Sequence, residues 1–152
     1  MSTMNKPTSL PDWQIATAFA RFMLGILFVM AGWWKVFELT PMAHAEQFFI
    51  GWFGDSWIPD ALLWALGLGI PFVELAAGAM LLLGFRLRET LATLAVLLLV
   101  TTYGHALKEA LFNIDGHTFT RSALIVFLLV SPIGADRWTL DRYLHRQQAS
   151  NE

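Results

Sequence analysis

Between Leu62 and Phe85 the chain carries a single charged side chain, Glu74, in a run that is otherwise almost wholly apolar. A helix in a soluble domain keeps a polar face for water, whereas a helix that is apolar all round is buried in protein or in lipid. About 20 apolar residues cross a ~30 Å hydrocarbon core, so this run is long enough to span a bilayer. Gly67, Pro71, Glu74, Gly78 and Leu81 recur at alternating spacings of four and three and therefore share one helical face. Small residues on that face let a second helix approach closely, and a carboxylate that lipid cannot solvate turns toward the bundle. Pro71 removes the amide donor to the Gly67 carbonyl, which predicts a kink above the acid. Glu74 itself has two readings: a structural ion pair or protonated, hydrogen-bonded acid, and a direct functional role.

The rest of the composition agrees with a membrane protein. Of 152 residues, 56% are hydrophobic and 14% charged, and the mean hydropathy is +0.53. A formal net charge of -2, with no basic patch among stacking aromatics, argues against nucleic acid as a partner. The absence of cysteine excludes thiol redox chemistry, thiolate-held iron–sulfur clusters and cysteine zinc sites.

Four spans are expected, over about 15–37, 62–85, 89–111 and 119–135. The first is read as an uncleaved span and not a signal peptide, because Arg21 interrupts it and no small-residue cleavage pattern follows. Its Ala18, Arg21, Gly25, Phe28, Gly32 and Lys35 fall on one inward face. Lys35, near the span's end, also fits a cation that snorkels to the surface. The segment 40–60 gathers Phe48, Phe49, Trp52 and Phe53 on one side of a short helix, with Trp57 just beyond. That pattern fits an interfacial helix in the first outer loop, serving as a membrane anchor or as the roof of a cavity.

In the third span Leu94, Leu98, Thr101, His105 and Lys108 make one face. His105 and Glu109 have the spacing of a metal-ligating pair, but two candidates make no site, and a lone pair of this kind is more often a local hydrogen bond. Asn113 to Thr118 reads as a turn, the fourth span is short and carries Arg121 near its start, and Arg137, Arg142 and Arg146 beside Trp138, Leu140, Tyr143 and Leu144 form a basic amphipathic tail.

Lys6, Arg21, Arg86, Arg88, Arg137, Arg142 and Arg146 fall at one end of the spans, and Lys35, Lys108 and Arg121 at the other. The positive-inside rule then places both termini in the cytoplasm. On that frame Arg21 and Glu74 differ in depth by roughly 7 Å, a gap that an arginine can bridge. Each unpaired charge at mid-membrane costs about 2.5–3.5 kcal/mol on insertion scales, so the ionisable residues are expected to meet one another. The expectation is a polar interior open to the outer side, with Glu74 at its floor and Lys35, His105, Lys108 and Arg121 around it. Such a site suits an anionic or carbonyl-bearing small molecule, a quinone head group included, and a proton relay between Glu74 and His105. The chain offers no nucleophile triad, phosphate loop or metal cluster.

Arg21-x3-Gly25-x6-Gly32-x2-Lys35, Glu74-Leu75-x2-Gly78-x5-Gly84 and the closing Ser131-Pro132-Ile133-Gly134 followed by Leu140-Asp141 resemble the DoxX family of small four-helix bacterial membrane proteins. The resemblance runs from about Arg21 to Tyr143 and implies an all-α fold: one transmembrane domain, 1–152, forming an integral membrane four-helix bundle in the bacterial inner membrane. It implies kinship with the DoxD small subunit of thiosulfate:quinone oxidoreductase and with partners in membrane-associated oxidoreductase complexes, and it directs attention to Arg21, Lys35 and Glu74. Ser131-Pro132 opens the usual glycine-rich final motif, and the aromatic loop is longer than in many relatives. Three functional readings follow. The first is a quinone-associated oxidoreductase subunit, with electrons carried by the ligand because no covalently bound redox group is evident. The others are a small-solute or proton transporter relaying through Glu74, and a non-catalytic assembly or anchoring subunit. The lipid bilayer, oxidoreductase subunits and a second copy of the chain are the partners these readings entail.

Overall fold

A computed structural model describes residues 12–108, 111–132 and 136–150. Lys6, Glu109, Ile133 and Gly134, singled out above, lie outside these residues. Helix α1 (Asp12–Trp33) runs on into a π-helical turn, Trp34–Glu38, and the chain then reverses at Leu39 and Thr40. Thr40 has a φ of 72° and caps α2 (Pro41–His44), its Oγ1 accepting from Ala43 N at 3.3 Å. A second π-helical stretch, Ala45–Ile50, joins α2 to α3 (Gly51–Phe53). Then come α4 (Asp60–Leu83), α5 (Leu87–Lys108), α6 (Leu111–Val130) and α7 (Leu140–Ser150). No strand occurs among the described residues.

Among the described residues, three helical stretches are long and apolar enough to cross a membrane: Asp12–Glu38, Asp60–Leu83 and Leu87–Lys108. The apolar part of α6, Thr118–Val130, is shorter. Around the bundle α1 packs between α4 and α6, and α5 closes the ring against both of those. Leu24 and Phe28 of α1, Ile70, Ala77 and Leu81 of α4, Leu91, Leu94, Leu97 and Leu98 of α5, and Ile125 of α6 form the core. Phe19, Val96, Leu99 and Val126 face outward, as lipid-facing residues of such a bundle do.

The α1–α4 seam is the closest contact, and glycine makes it so. A Cβ on Gly32 would overlap the Leu75 backbone, and one on Gly78 would come within 2.5 Å of Val29 N. Two helices whose backbones touch in this way gain dispersion contacts that the bilayer does not supply. The helices run antiparallel, since Gly32 meets Leu75 while Arg21, further back along α1, meets Leu81 and Leu82.

The expected turn from Asn113 to Thr118 is instead the first part of α6. A single internal glycine costs a helix only about 1 kcal/mol, and the apolar run that follows carries the helix back through the polar stretch. α4 continues from Asp60 to Leu83 with Pro71 inside it. Gly84 ends α4 in the left-handed region at φ 67°, with its amide donating to Leu81 O and that of Phe85 to Met80 O. The Asp141 carboxylate then accepts from Arg86 N at 2.9 Å and Leu87 N at 3.2 Å, so the start of α7 is tied to the α4–α5 turn.

Candidate functional site

The predicted Arg21–Glu74 pair does not form. Arg21 Nε donates to Asp136 Oδ2 at 2.6 Å, Nη1 to Leu81 O and Leu82 O at 2.7 and 2.8 Å, and Nη2 to Trp138 O at 2.8 Å. At 1% exposure, Arg21 is sealed. Leu81 lies seven residues beyond Glu74, about 10 Å along the helix, and its carbonyl belongs to the last turn of α4, where the helix dipole favours a cation. The antiparallel register brings Arg21 to Asp136, whose Oδ1 in turn accepts from Trp138 N at 2.8 Å.

Glu74 has a different partner. Lys35, on the π-helical turn at the far end of α1, donates from Nζ to Glu74 Oε2 at 2.6 Å. Snorkelling alone therefore does not describe Lys35. The lysine stands at the edge of a cavity of about 640 Å³, while Glu74 lies behind it and is not part of the wall. Four of the aromatic residues foreseen in the 40–60 segment, Phe48, Phe49, Trp52 and Phe53, line this cavity together with Trp34 and Trp57. They pack as a chain of tilted and edge-on rings: Phe48 on Trp52 at 5.6 Å, Trp52 on Phe53 at 6.4 Å, and Trp52 on His105 at 5.9 Å. Lining a cavity is one of the two roles open to these aromatics.

His105 joins the wall from α5. Lys108 and Arg121 do not. The Lys108 ammonium lies 5.4 Å from the Phe53 ring centre, and the Arg121 guanidinium 5.1 Å from that of Phe28. Glu109, the other half of the His105 pair, is outside the described residues, and among those described no cluster of three or more His, Asp or Glu side chains could hold a metal.

His44 was passed over in the sequence and proves central. Its Nδ1 sits 2.7 Å from Gly67 O, the carbonyl that Pro71 leaves without an amide donor. The carbonyl can only accept, so Nδ1 carries a proton and donates. An unpaired buried carbonyl would cost about 1–3 kcal/mol, and this bond removes that cost. Proximity comes again from glycine: a Cβ on Gly67 would stand 2.6 Å from Ala45 Cα, so the bare Gly67 lets the α2 segment lie on α4. His44 is buried, stacks at 5.6 and 5.4 Å on Phe48 and Phe49, and lines the cavity. Burial holds its imidazole below the usual histidine range, helped by the Lys35 charge and opposed by the Gly67 bond and the Glu74 charge. A proline four residues after a glycine, with a histidine in the preceding aromatic segment, was the signal in the sequence.

The cavity is thus apolar and aromatic on its walls, with a lysine backed by a carboxylate and an imidazole of fixed tautomer among its polar groups. Leu62, Leu99, Val100 and Tyr103 also line it, although each is exposed on the outside of the bundle, so it opens between α4 and α5. Its size and lining are those of small-molecule sites.

A family model described as DoxX matches residues 16–106, from the start of α1 almost to the end of α5. The matched stretch includes Arg21, Lys35, His44, Glu74 and His105. No curated protein and no solved structure matches the chain.

Proposed function

The chain belongs to the DoxX family, and on that premise we propose that it is a membrane subunit of, or partner to, a quinone-linked oxidoreductase, binding the ring of a quinone-type ligand in the aromatic cavity. We place it in the bacterial inner membrane with both termini in the cytoplasm and the 40–60 segment at the outer surface. The observation that carries the reading is the joint presence, in one cavity of about 640 Å³, of a ring-lined wall and the Lys35 ammonium held by Glu74.

The side chains fit such a ligand. Planar rings stack offset or edge-on against Phe48, Phe49, Trp52 and Phe53, and an apolar tail leaves through the α4–α5 opening. Lys35 has three donors, of which Glu74 takes one, so it can donate to a ligand carbonyl. A cation already oriented by a buried carboxylate stabilises negative charge developing on that oxygen without reorganising, which is how fixed donors assist reduction of a carbonyl. In this reading the ligand carries the electrons to or from a partner protein. The Arg21–Asp136 cluster lies at the other end of the bundle and serves to fasten α1, α4 and the approach to α7.

The test is equilibrium binding of a short-chain benzoquinone to the purified protein in lipid nanodiscs, followed by quenching of tryptophan fluorescence. Wild type is expected to bind saturably, Lys35→Met to bind at least several-fold more weakly, and Val100→Trp, which fills the opening, to lose binding. Equal partitioning of the quinone into protein-free nanodiscs and all three proteins would remove the reading.

A further inference from the structure

We propose that His44 is a ligand-binding residue that accepts a hydrogen bond at Nε2 from a hydroxyl of the bound ring, so that the cavity prefers the hydroxyl-bearing form, a hydroquinone or alkylphenol, over the corresponding carbonyl form. This deepens, and rests on, the ring-binding reading given above.

The tautomer is fixed by the backbone. Pro71 has no amide hydrogen, Gly67 O must find a donor elsewhere, and His44 Nδ1 supplies it at 2.7 Å. A ring protonated at Nδ1 and neutral overall has a lone pair at Nε2, and a lone pair calls for a donor. Nε2 makes no hydrogen bond among the described residues and is not one of the polar atoms sealed from access. His44 is one of the residues that line the cavity. Burial and the neighbouring Lys35 charge keep the imidazole neutral near pH 7.

Lys35 and His44 then impose different demands. Lys35 offers donors and is satisfied by a carbonyl or by a hydroxyl oxygen. His44 Nε2 is satisfied only by a hydroxyl. A carbonyl placed against Nε2 sets two acceptors together and leaves both unpaired in an apolar site, which binding sites penalise more heavily than a missing contact. The preference therefore arises from a proline in α4, read through one carbonyl and one imidazole.

Two probe pairs separate hydrogen bonding from redox chemistry: a short-chain benzoquinone against its hydroquinone kept reduced under argon, and a 4-alkylphenol against the matching 4-alkylanisole, which lacks the donor. Binding to the full chain in nanodiscs is measured by calorimetry at pH 7.5. Wild type is expected to favour the hydroxyl member of each pair by about five-fold, the effect of one hydrogen bond. In His44→Asn the side-chain amide replaces Nδ1 as donor to Gly67 O but puts no atom where Nε2 stands, so the ratio should fall to near one. Wild type that binds both members of each pair equally overturns the role of His44 and leaves the ring-binding reading standing. A preference that persists in His44→Asn overturns it likewise. Wild type that binds none of the four probes overturns the ring-binding reading, and the inference with it.

Discussion

Lys35 Nζ stands 2.6 Å from Glu74 Oε2, yet the two side chains are unequally buried, at 20% and 4% exposure. The cation fronts the cavity and the carboxylate backs it. Removing either one is therefore not equivalent.

Lys35→Met strands a carboxylate deep in the bundle and is expected to lower stability by about 3 kcal/mol, at the lower end for a broken buried pair because Lys35 is partly exposed. Glu74→Gln leaves a cation that can turn toward the cavity mouth, and about 1–2 kcal/mol is expected. The double variant should recover most of the Lys35→Met loss, since it leaves no charge buried without its partner. Denaturant unfolding in micelles gives all three values, and a Glu74→Gln loss exceeding that of Lys35→Met would contradict the asymmetry.

Arg21→Lys should destabilise nearly as much as Arg21→Gln. The guanidinium serves Asp136 and three carbonyls at once, and an ammonium cannot span that set. A fall in melting temperature is expected in both, with ring binding intact in protein that has folded. Loss of binding in well-folded Arg21→Lys would instead tie this cluster to the cavity.

Gly32→Ala and Gly78→Ala should each cost about 2–3 kcal/mol, because the added methyl meets backbone that has no room to yield. Gly69→Ala is the internal control: nothing lies within 4 Å of its Cβ position, and a better helix former there should be neutral or stabilising by up to about 1 kcal/mol. Thermal unfolding of the three variants in one detergent makes the comparison.

His44 predicts a pH slope of definite sign. Its folded value lies below 6.5, chiefly through burial and with Lys35 adding to it, while Gly67 and Glu74 act the other way. Below 6.5 the unfolded chain therefore holds the extra proton. Stability from this group is complete above that pH and falls as pH drops toward the folded value, by up to about 1.4 kcal/mol per unit. Melting temperatures between pH 5 and 7.5 should decline on the acid side in wild type and flatten in His44→Asn. Parallel curves for the two proteins would refute the assignment.

The buried faces could be read from spacing alone. Arg21, Gly25, Phe28 and Gly32 in α1, and Gly67, Pro71, Glu74, Gly78 and Leu81 in α4, are all buried as their three-and-four rhythm requires. Charge pairing could not be read that way. Arg21 and Lys35 lie on the same face, and which one meets Glu74 depends on how far α4 is slid along α1, a quantity set by contacts such as Gly32 on Leu75 and not by periodicity. Asp136 is not legible as the partner of Arg21, because nothing local says that this stretch folds back beneath α1. His44 escaped notice for a related reason: its partner is a backbone carbonyl, which leaves no mark in the sequence except through the proline that freed it.

The wide turn at Ala45–Ile50 bears on what this chain tolerates. An α-helix advances about 100° per residue, whereas a π-helical turn spreads one extra residue over nearly the same rotation and so takes up the surplus without passing it on. Trp52 and Phe53 therefore keep the aim relative to His44 that a plain α-helix one residue shorter would give them. A homologue that lacks that one residue and runs as ordinary α-helix here builds the same chamber from the same rings, so in this stretch length is negotiable where the identity of the rings is not.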